Sequence, residues 1–378
     1  MNEELFDIAI AGGGLAGLTL AIQSADAGYK TLLVEKEQYP YHKVCGEYIS
    51  NESAAFLQRL GIPLNNLKLP QINSLHISDS KGRLYPFTLP LGGFGISRYT
   101  LDNMLYNIAI KKGITAVIQT KVNDIVFTDD AFTITTNKQH FSARCVVGSF
   151  GKRSNLDVKW KRPFITANST RLNNYIGVKY HIKYPHPDGL IALHNFTDGY
   201  CGISNIEDGK TCLCYLTTAN NLRQSGNSIK QMEKDILQQN PQLKEIFSNA
   251  EFLYNEPLTI SQISFSKKSQ VENHVFMVGD AAGMITPLCG NGMSMAMHAG
   301  KLAFNNIQQY LQGSTNRLQM EEQYTRQWRY QFGKRLLIGR MVQSIFGGDT
   351  STALFLQVMH KNKWLAQKLI STTHGVSF

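Results

Sequence analysis

The chain has 378 residues, of which 43% are hydrophobic and 17% charged, and Lys plus Arg exceeds Asp plus Glu by 38 − 28, giving +10. That length is long for one small core and suits two joined domains, and the composition excludes a disordered chain. The positive charge favours anionic ligands or surfaces, but the basic residues are dispersed apart from Lys152-Arg153 and Lys159 to Arg162, and no nucleic-acid-binding motif is present.

The start, Met1-Asn2-Glu3-Glu4, lacks the basic region of a signal peptide. No window holds about 18 uninterrupted apolar residues, so no membrane span is expected. Cys45, Cys145, Cys201, Cys212, Cys214 and Cys289 are scattered without a CxxC. That spacing predicts no metal site and fits reduced thiols in a cytoplasmic protein. Cys212 and Cys214 share one face of a strand, where packing is their simplest role.

Phe6 to Ala11 reads as a strand, glycines break it, and Leu15 to Ala27 has helical periodicity. Thr31 to Glu35 is a second buried-strand pattern, so the chain opens on a β-α-β unit. Glu52 to Leu60 reads as a helix ended by Gly61 and Pro63. Ile72 to Ile77 and Arg83 to Leu89 pair around Ser80-Lys81-Gly82, and Thr100 to Lys112 is a helix. Strands follow at Val117 to Val126, Ala131 to Thr136 and Ala143 to Gly148. Residues 172–218, rich in Tyr, Ile, Val and Thr, predict several antiparallel strands. Helices at Ile229 to Gln239 and Pro241 to Phe247 precede strands at Leu258 to Phe265 and Val275 to Val278. From Gly292 onward the pattern is helical: Met293 to Leu311, Leu318 to Ile345, Thr350 to Met359 and Trp364 to Ser371.

Two glycine-rich segments carry the chemistry. Gly12, Gly14 and Gly17 form a G-x-G-x-x-G that follows a strand and opens a helix. Gly12 permits the turn, Gly14 lets the backbone approach a pyrophosphate, and Gly17 lets helix and strand pack closely. The helix N-terminus favours phosphate, and Glu35, at the end of the next strand, suits ribose hydroxyls. Much later come Gly279-Asp280 and Pro287…Gly290-Asn291-Gly292. An Asp at a strand end can bind a ribityl hydroxyl. A helix starting at Gly292 can face a flavin pyrimidine, where its dipole stabilises the charge of the reduced ring. Together the segments predict FAD. Leu15, Ala16, Lys36, Val122 and Met293 are placed with them as cofactor contacts.

In these motifs and their order the chain resembles the FAD-dependent superfamily of single-component aromatic hydroxylases (group A flavin monooxygenases) and geranylgeranyl reductases. Lys43-Val44-Cys45-Gly46 resembles the Lys-x-Cys-Gly of reductase-like and halogenase-like branches. Arg98 with Leu101-Asp102 resembles the family's Arg-x-x-Leu-Asp, whose Arg faces the cofactor. The resemblance implies an α/β architecture. A Rossmann-like FAD domain of glutathione-reductase type is expected from residues 1–70, 96–165 and 270–315. An inserted antiparallel β-sheet substrate domain takes 71–95 and 166–269, and a C-terminal helical region takes 316–378. One motif departs: Phe150 stands where the family has an Asp tied to FAD and NAD(P)H handling. Lys152 and Arg153 are either phosphate attractors or solvated charges.

No second dinucleotide fingerprint is visible, so visiting NADPH or NADH, or a separate flavin reductase, supplies electrons. Substrate contacts are expected from the β-rich insert. His194 is the candidate base there and Tyr200 the candidate hydrogen-bond donor, each with structural packing as its alternative role. His181, Tyr180, Asn195, Asp198 and Cys201 lie nearby. Cys45 and Cys289 lie beside the motifs and either do chemistry or pack. The basic, apolar helix around Lys334 to Val342 either packs on the flavin domain or contacts a membrane or acidic carrier, and the protein is expected to be a monomer or dimer. Four functions compete. Hydroxylation of an aromatic or polyketide-like molecule through a flavin C4a-hydroperoxide stands first. Reduction of isoprenoid double bonds is second. A halogenase lacks support, because Trp160, Trp328 and Trp364 form no Trp-x-Trp motif. Non-catalytic flavin binding is the fourth.

Overall fold

Two sheets organise the chain, and each joins strands far apart in sequence. The computed structural model describes residues 4–166, 173–286 and 290–378. The strands are β1 (Leu5–Ala11), β2 (Thr31–Val34), β3 (Tyr48–Ser50), β4 (Gln71–Ser78), β5 (Leu84–Gly95), β6 (Thr115–Val117), β7 (Val122–Thr128), β8 (Ala131–Thr136), β9 (His140–Gly148), β10 (Asn173–Lys183), β11 (Leu190–Phe196), β12 (Gly199–Asn205), β13 (Thr211–Thr218), β14 (Glu251–Phe252), β15 (Leu258–Ser264), β16 (Val271–Glu272) and β17 (Val275–Met277). The helices are α1 (Leu15–Asp26), α2 (Ala54–Arg59), α3 (Arg98–Lys111), α4 (Asn155–Lys159), α5 (Pro163–Thr166), α6 (Ala219–Gln224), α7 (Ile229–Asp235), α8 (Pro241–Asn249), α9 (Gly292–Leu311), α10 (Arg317–Ile345), α11 (Asp349–Lys361) and α12 (Lys363–Thr373).

The first sheet runs β16-β17-β9-β1-β2-β6, with the β7–β8 hairpin joined to β9. Its central pairs, β1 with β2 and β1 with β9, are parallel. Parallel strands are covered on both faces, which is why Ile8, Ala9, Ile10, Leu32, Leu33, Val146 and Val147 form nearly unbroken apolar runs. Helices α1 and α9 belong to the same core. The stretch Val117 to Val126, expected to be one strand, is two: β6 ends at Val117, Gln119 takes a positive φ of 51°, and β7 starts a separate hairpin. The helix expected over Ile229 to Gln239 stops at Asp235, and Leu237–Gln239 tightens into a 3₁₀ turn.

The second sheet runs β14-β10-β13-β12-β11-β4-β5-β3, with β15 against β10. Strand alternation divides its residues between two faces. Ile176, Val178, Tyr180 and Ile182 pack with Met232, Leu237, Leu243 and Ile246 around α7 and α8. Tyr175, Gly177, Lys179 and His181 therefore point the other way, towards the segment linking β2 to β3. Within the C-terminal region, Met320, Tyr324, Trp328, Phe332 and Leu336 of α10 join the core of the first sheet. The apolar stripe of this helix thus packs on the cofactor half, while Leu337 and Met341 stay exposed. Among the described residues no helix is long and apolar enough to cross a membrane.

Candidate functional site

The first glycine loop is shaped by close approach. Gly12 has φ +109°, and a Cβ there would lie 2.4 Å from Ser149 O; at Gly17 a Cβ would lie 2.2 Å from Gly12 O. Gly14 differs: a Cβ built on it meets no heavy atom within 4 Å. It is the N-cap of α1 and gives no side-chain cap, so the first amides of that helix face open space. Leu15, Ala16 and Gly17 form the buried first turn. Glu35 is 5% exposed. It accepts from Gly13 N at 2.6 Å through Oε2 and from Glu37 N at 3.0 Å through Oε1, bracing the loop from the end of β2. Tyr39 donates to Gly13 O at 2.5 Å, and burial, reinforced by Glu35, raises its hydroxyl pKa. Lys36 points outward and pairs with Glu37 at 3.5 Å. Val122 is buried at the start of β7, where its carbonyl accepts from Asn155.

The second segment meets the first. A Cβ at Gly279 would lie 3.5 Å from the Cβ atoms of both Ala16 and Ala296, so β17's end, α1 and α9 converge. Asp280 is half-buried, and its carboxyl makes no hydrogen bond to a described residue. Burial pushes its pKa up, against the charges of Lys268, Arg98 and Lys152. Lys268 donates to Asp280 O at 2.7 Å and Lys152 O at 2.6 Å, and burial lowers its pKa to about 8. Gly290 has φ +67° and leads through buried Asn291, which donates to Thr373 O at 2.6 Å, into Gly292 and α9. Pro287 and Cys289 lie outside the described residues.

A third segment closes over these two. Cys45 Sγ lies 3.6 Å from Met293 Sδ in the first turn of α9. Lys43 donates to Asp102 at 2.9 Å, and the Arg98 guanidinium forks onto the same carboxylate with two bonds of 2.7 Å. Burial works against the Asp102 carboxylate, but Arg98 and then Lys43 hold its pKa below the usual range. The segment then crosses the second sheet. Lys179 Nζ donates to Lys43 O at 3.2 Å, Cys212 Sγ to Cys45 O at 3.3 Å and Ser204 Oγ to Gly46 O at 3.5 Å. Glu47, with φ +56°, is fully buried. Its Oε1 accepts from Lys179 Nζ at 2.5 Å and Arg98 N at 2.8 Å, and its Oε2 lies 2.6 Å from His181 Nε2. Glu47, His181 and Cys212 bring ligand-type atoms within 4.8 Å of one another. Lys179 bonds the same carboxylate, and burial raises the Cys212 thiol pKa well above the ordinary value.

His194 and Tyr200 lie on opposite faces of the second sheet. His194 alternates with Ala192 and Phe196, which join the core around α7 and α8. Its Nδ1 lies 3.1 Å from Ser78 Oγ, and burial, then His186 and His76, lowers its pKa to about 3. It is not grouped with the glycine segments. Tyr200 faces the cofactor half, packed with Leu193, Leu216 and Phe346. Phe150 sits against Gly148 and lies edge-on to Trp160, with ring centroids 6.3 Å apart. Lys152 donates to Ser261 O, and burial lowers its pKa to about 8; Arg153 is exposed.

The residues fit FAD. The Gly14 space and the α1 amides suit a pyrophosphate, Glu35 borders the ribose side, the unengaged Asp280 carboxyl suits a polyol hydroxyl, and the α9 N-terminus is available to a pyrimidine. Glu47, Lys179, Tyr254, His42 and Lys268 belong to the site's surroundings and escaped the motif reading.

Comparisons with known proteins agree with this assignment. The chain is 23% identical over 376 residues to conditioned medium factor receptor 1 of Dictyostelium discoideum, covering 91% of this chain and 71% of that protein. It is 24% identical over 361 residues to the digeranylgeranylglycerophospholipid reductase of Methanococcus vannielii, covering 89% and 85%. The structure of the flavin-dependent brominase Bmp2 matches with a TM-score of 0.80 at 19% identity, covering 99% of this chain and 94% of that one, a likeness of fold. The FAD binding domain family matches residues 6–337, and the chain belongs to that family as an FAD-dependent oxidoreductase.

Proposed function

We propose that the protein is an FAD-dependent reductase that saturates carbon–carbon double bonds of an isoprenoid substrate, with NADPH or NADH as electron donor. One observation carries the reading: the cofactor side of the second sheet brings proton-bearing groups, the Lys179 ammonium and the Cys212 and Cys214 thiols, onto one face beside apolar surface. Burial pushes up the thiols of Cys45, Cys212 and Cys214, the last to about 12. Burial works against the Lys179 ammonium, yet the Glu47 carboxylate bonded to it holds its pKa above the ordinary value. Saturating a double bond adds a hydride to one carbon and a proton to the other, so it needs a donor in apolar surroundings. Tyr175, Leu193 and Leu216 supply apolar surface on the same side. The bound flavin supplies the hydride chemistry. The residues do the rest: the α1 amides and Glu35 anchor the nucleotide, Asp280 and α9 orient the ring, and the sheet excludes water. The reductase among the relatives supports this reading.

Hydroxylation of an aromatic ring is the second reading, favoured by Tyr200 on the cofactor side. A phenol hydroxylase also needs a base, and the His194 imidazole lies on the other face. Product analysis separates the two. Reduced protein mixed with a geranylgeranyl lipid in the absence of oxygen should yield a product heavier by two hydrogens per double bond. Unchanged lipid, together with oxygen-dependent addition of one oxygen atom to a phenol, would overturn the proposal.

A further inference from the structure

Four polar side chains run in unbroken contact from a buried carboxylate to a half-exposed imidazole. Glu47 Oε2 lies 2.6 Å from His181 Nε2, His181 Nδ1 lies 2.6 Å from Tyr254 Oη, and Tyr254 Oη lies 3.1 Å from His42 Nε2. Glu47 is 0% exposed and His181 2%. His42 and Tyr254 are half-exposed, and His42 stacks on Tyr99 with ring centroids 4.5 Å apart.

The Glu47 carboxylate fixes the direction of the first of these bonds. Burial opposes the Glu47 charge, but His181 and Lys179 hold its pKa below the usual range, so the carboxylate only accepts. His181 Nε2 therefore donates to it, and in that Nε2–H tautomer Nδ1 accepts from the Tyr254 hydroxyl. The Tyr254 oxygen is left to accept from His42. Each interior group donates once and accepts once, as stepwise proton transfer requires.

We propose that His42, Tyr254 and His181 form a proton path from solvent to the Glu47 carboxylate. A proton from water arrives on His42. As a His42 N–H proton passes to the Tyr254 oxygen, the Tyr254 hydroxyl proton passes to His181 Nδ1. Tyr254 ends neutral, and His181 becomes an imidazolium held by Glu47. One proton enters at His42, one is stored at the His181–Glu47 pair, and no electrons move. Burial, then Lys179 and His181, lowers the His42 pKa to about 4, so His42 passes protons on instead of keeping them. The charged and titratable groups facing the path are Lys179, Glu47, Cys212 and, from the β12–β13 turn, Glu207 and Lys210. The inner end belongs to the segment whose Cys45 meets Met293 at the start of α9. The path thus deepens the reduction reading, on which its purpose rests: each saturated double bond consumes a proton.

Flash photoreduction of the FAD-loaded protein by a deazaflavin donor, with a pH-indicator dye, reads proton uptake directly. Tyr254→Phe should slow uptake roughly tenfold or more while leaving flavin content and spectrum unchanged. His42→Gly should do the same, with added imidazole restoring the rate, a rescue that a merely structural role would not show. Nitrogen-15 shifts of labelled histidines in the apoprotein should show His181 protonated at Nε2 and accepting at Nδ1. Uptake within about twofold of wild type in both flavin-loaded variants, or the reverse His181 tautomer, would overturn the path. Relay kinetics in a protein that hydroxylates a phenol would support the path and overturn the reduction reading.

Discussion

Lys179 of β10 and Glu47 at the start of the β3 region form a 2.5 Å ion pair in which both side chains are 0% exposed. The pair joins the second sheet to the segment that closes the cofactor site. Removing one member of such a pair leaves the other charge buried and uncompensated. Glu47→Gln should therefore destabilise the protein by about 3–5 kcal/mol, and adding Lys179→Met should recover part of that loss. Urea unfolding checks both. A single variant as stable as wild type would show that the buried pair does not hold the interface.

Gly12 and Gly14 should respond oppositely to a methyl group. Gly12→Ala meets Ser149 O at 2.4 Å with φ +109°, so the variant should unfold or lose several degrees of melting temperature. Gly14→Ala enters open space in the apoprotein and should leave its melting temperature unchanged. It should still weaken FAD binding by about 100-fold, roughly 2.7 kcal/mol. Thermal melting of the apoproteins and flavin titration measure the two effects.

Asp280 is held where burial raises its pKa and no described group bonds its carboxyl. Asp280→Asn should leave the apoprotein as stable as wild type or more so, and weaken FAD by about tenfold. Calorimetric titration tests this; equal affinity would remove Asp280 from the cofactor contacts.

Acid sensitivity should begin well above the carboxylate range. His42, His194 and His298 have pKa values lowered from 6.5 to about 4, about 3 and about 4. Below pH 6.5 the unfolded chain binds protons that the folded chain does not, so stability is greatest above 6.5 and falls steadily towards pH 4. The melting temperature should drop by about 5–10 °C across that window. Asp102, whose pKa Arg98 and Lys43 lower, adds its loss only beneath the ordinary carboxylate range. His194→Asn should flatten the decline between pH 6.5 and 4. An unchanged slope would show that His194 titrates normally.

The cofactor half was legible because its signals are local. Gly12, Gly14, Gly17 and Glu35 sit within one β-α-β unit, and Gly279-Asp280 and Gly290 to Gly292 flank one helix start. Glu47, Lys179, His181 and Tyr254 were not legible as a group, since Glu47 and Lys179 lie 132 residues apart and only the crossing of the β2–β3 segment over the second sheet joins them. Lys268 was hidden for the same reason. His194 shows a different limit. Strand alternation sets it and Asn195 on opposite faces, and which face meets the cofactor depends on the long-range register of β11 with β4 and β12. The short β3 read as part of the cofactor half, yet it pairs with β5 in the second sheet, where a Cβ at Gly93 would lie 2.3 Å from Ile49 O, so only glycine lets the two backbones close.

The most direct test is a single turnover without oxygen. Flavin in the purified protein is reduced with NADPH, NADH or dithionite, then mixed anaerobically with a geranylgeranyl-bearing lipid while the flavin absorbance is followed. Hydride transfer to the lipid predicts reoxidation matched one for one by saturated double bonds, and slowed in Tyr254→Phe. Flavin that stays reduced until oxygen is admitted, and then adds oxygen to an aromatic ring, would contradict it.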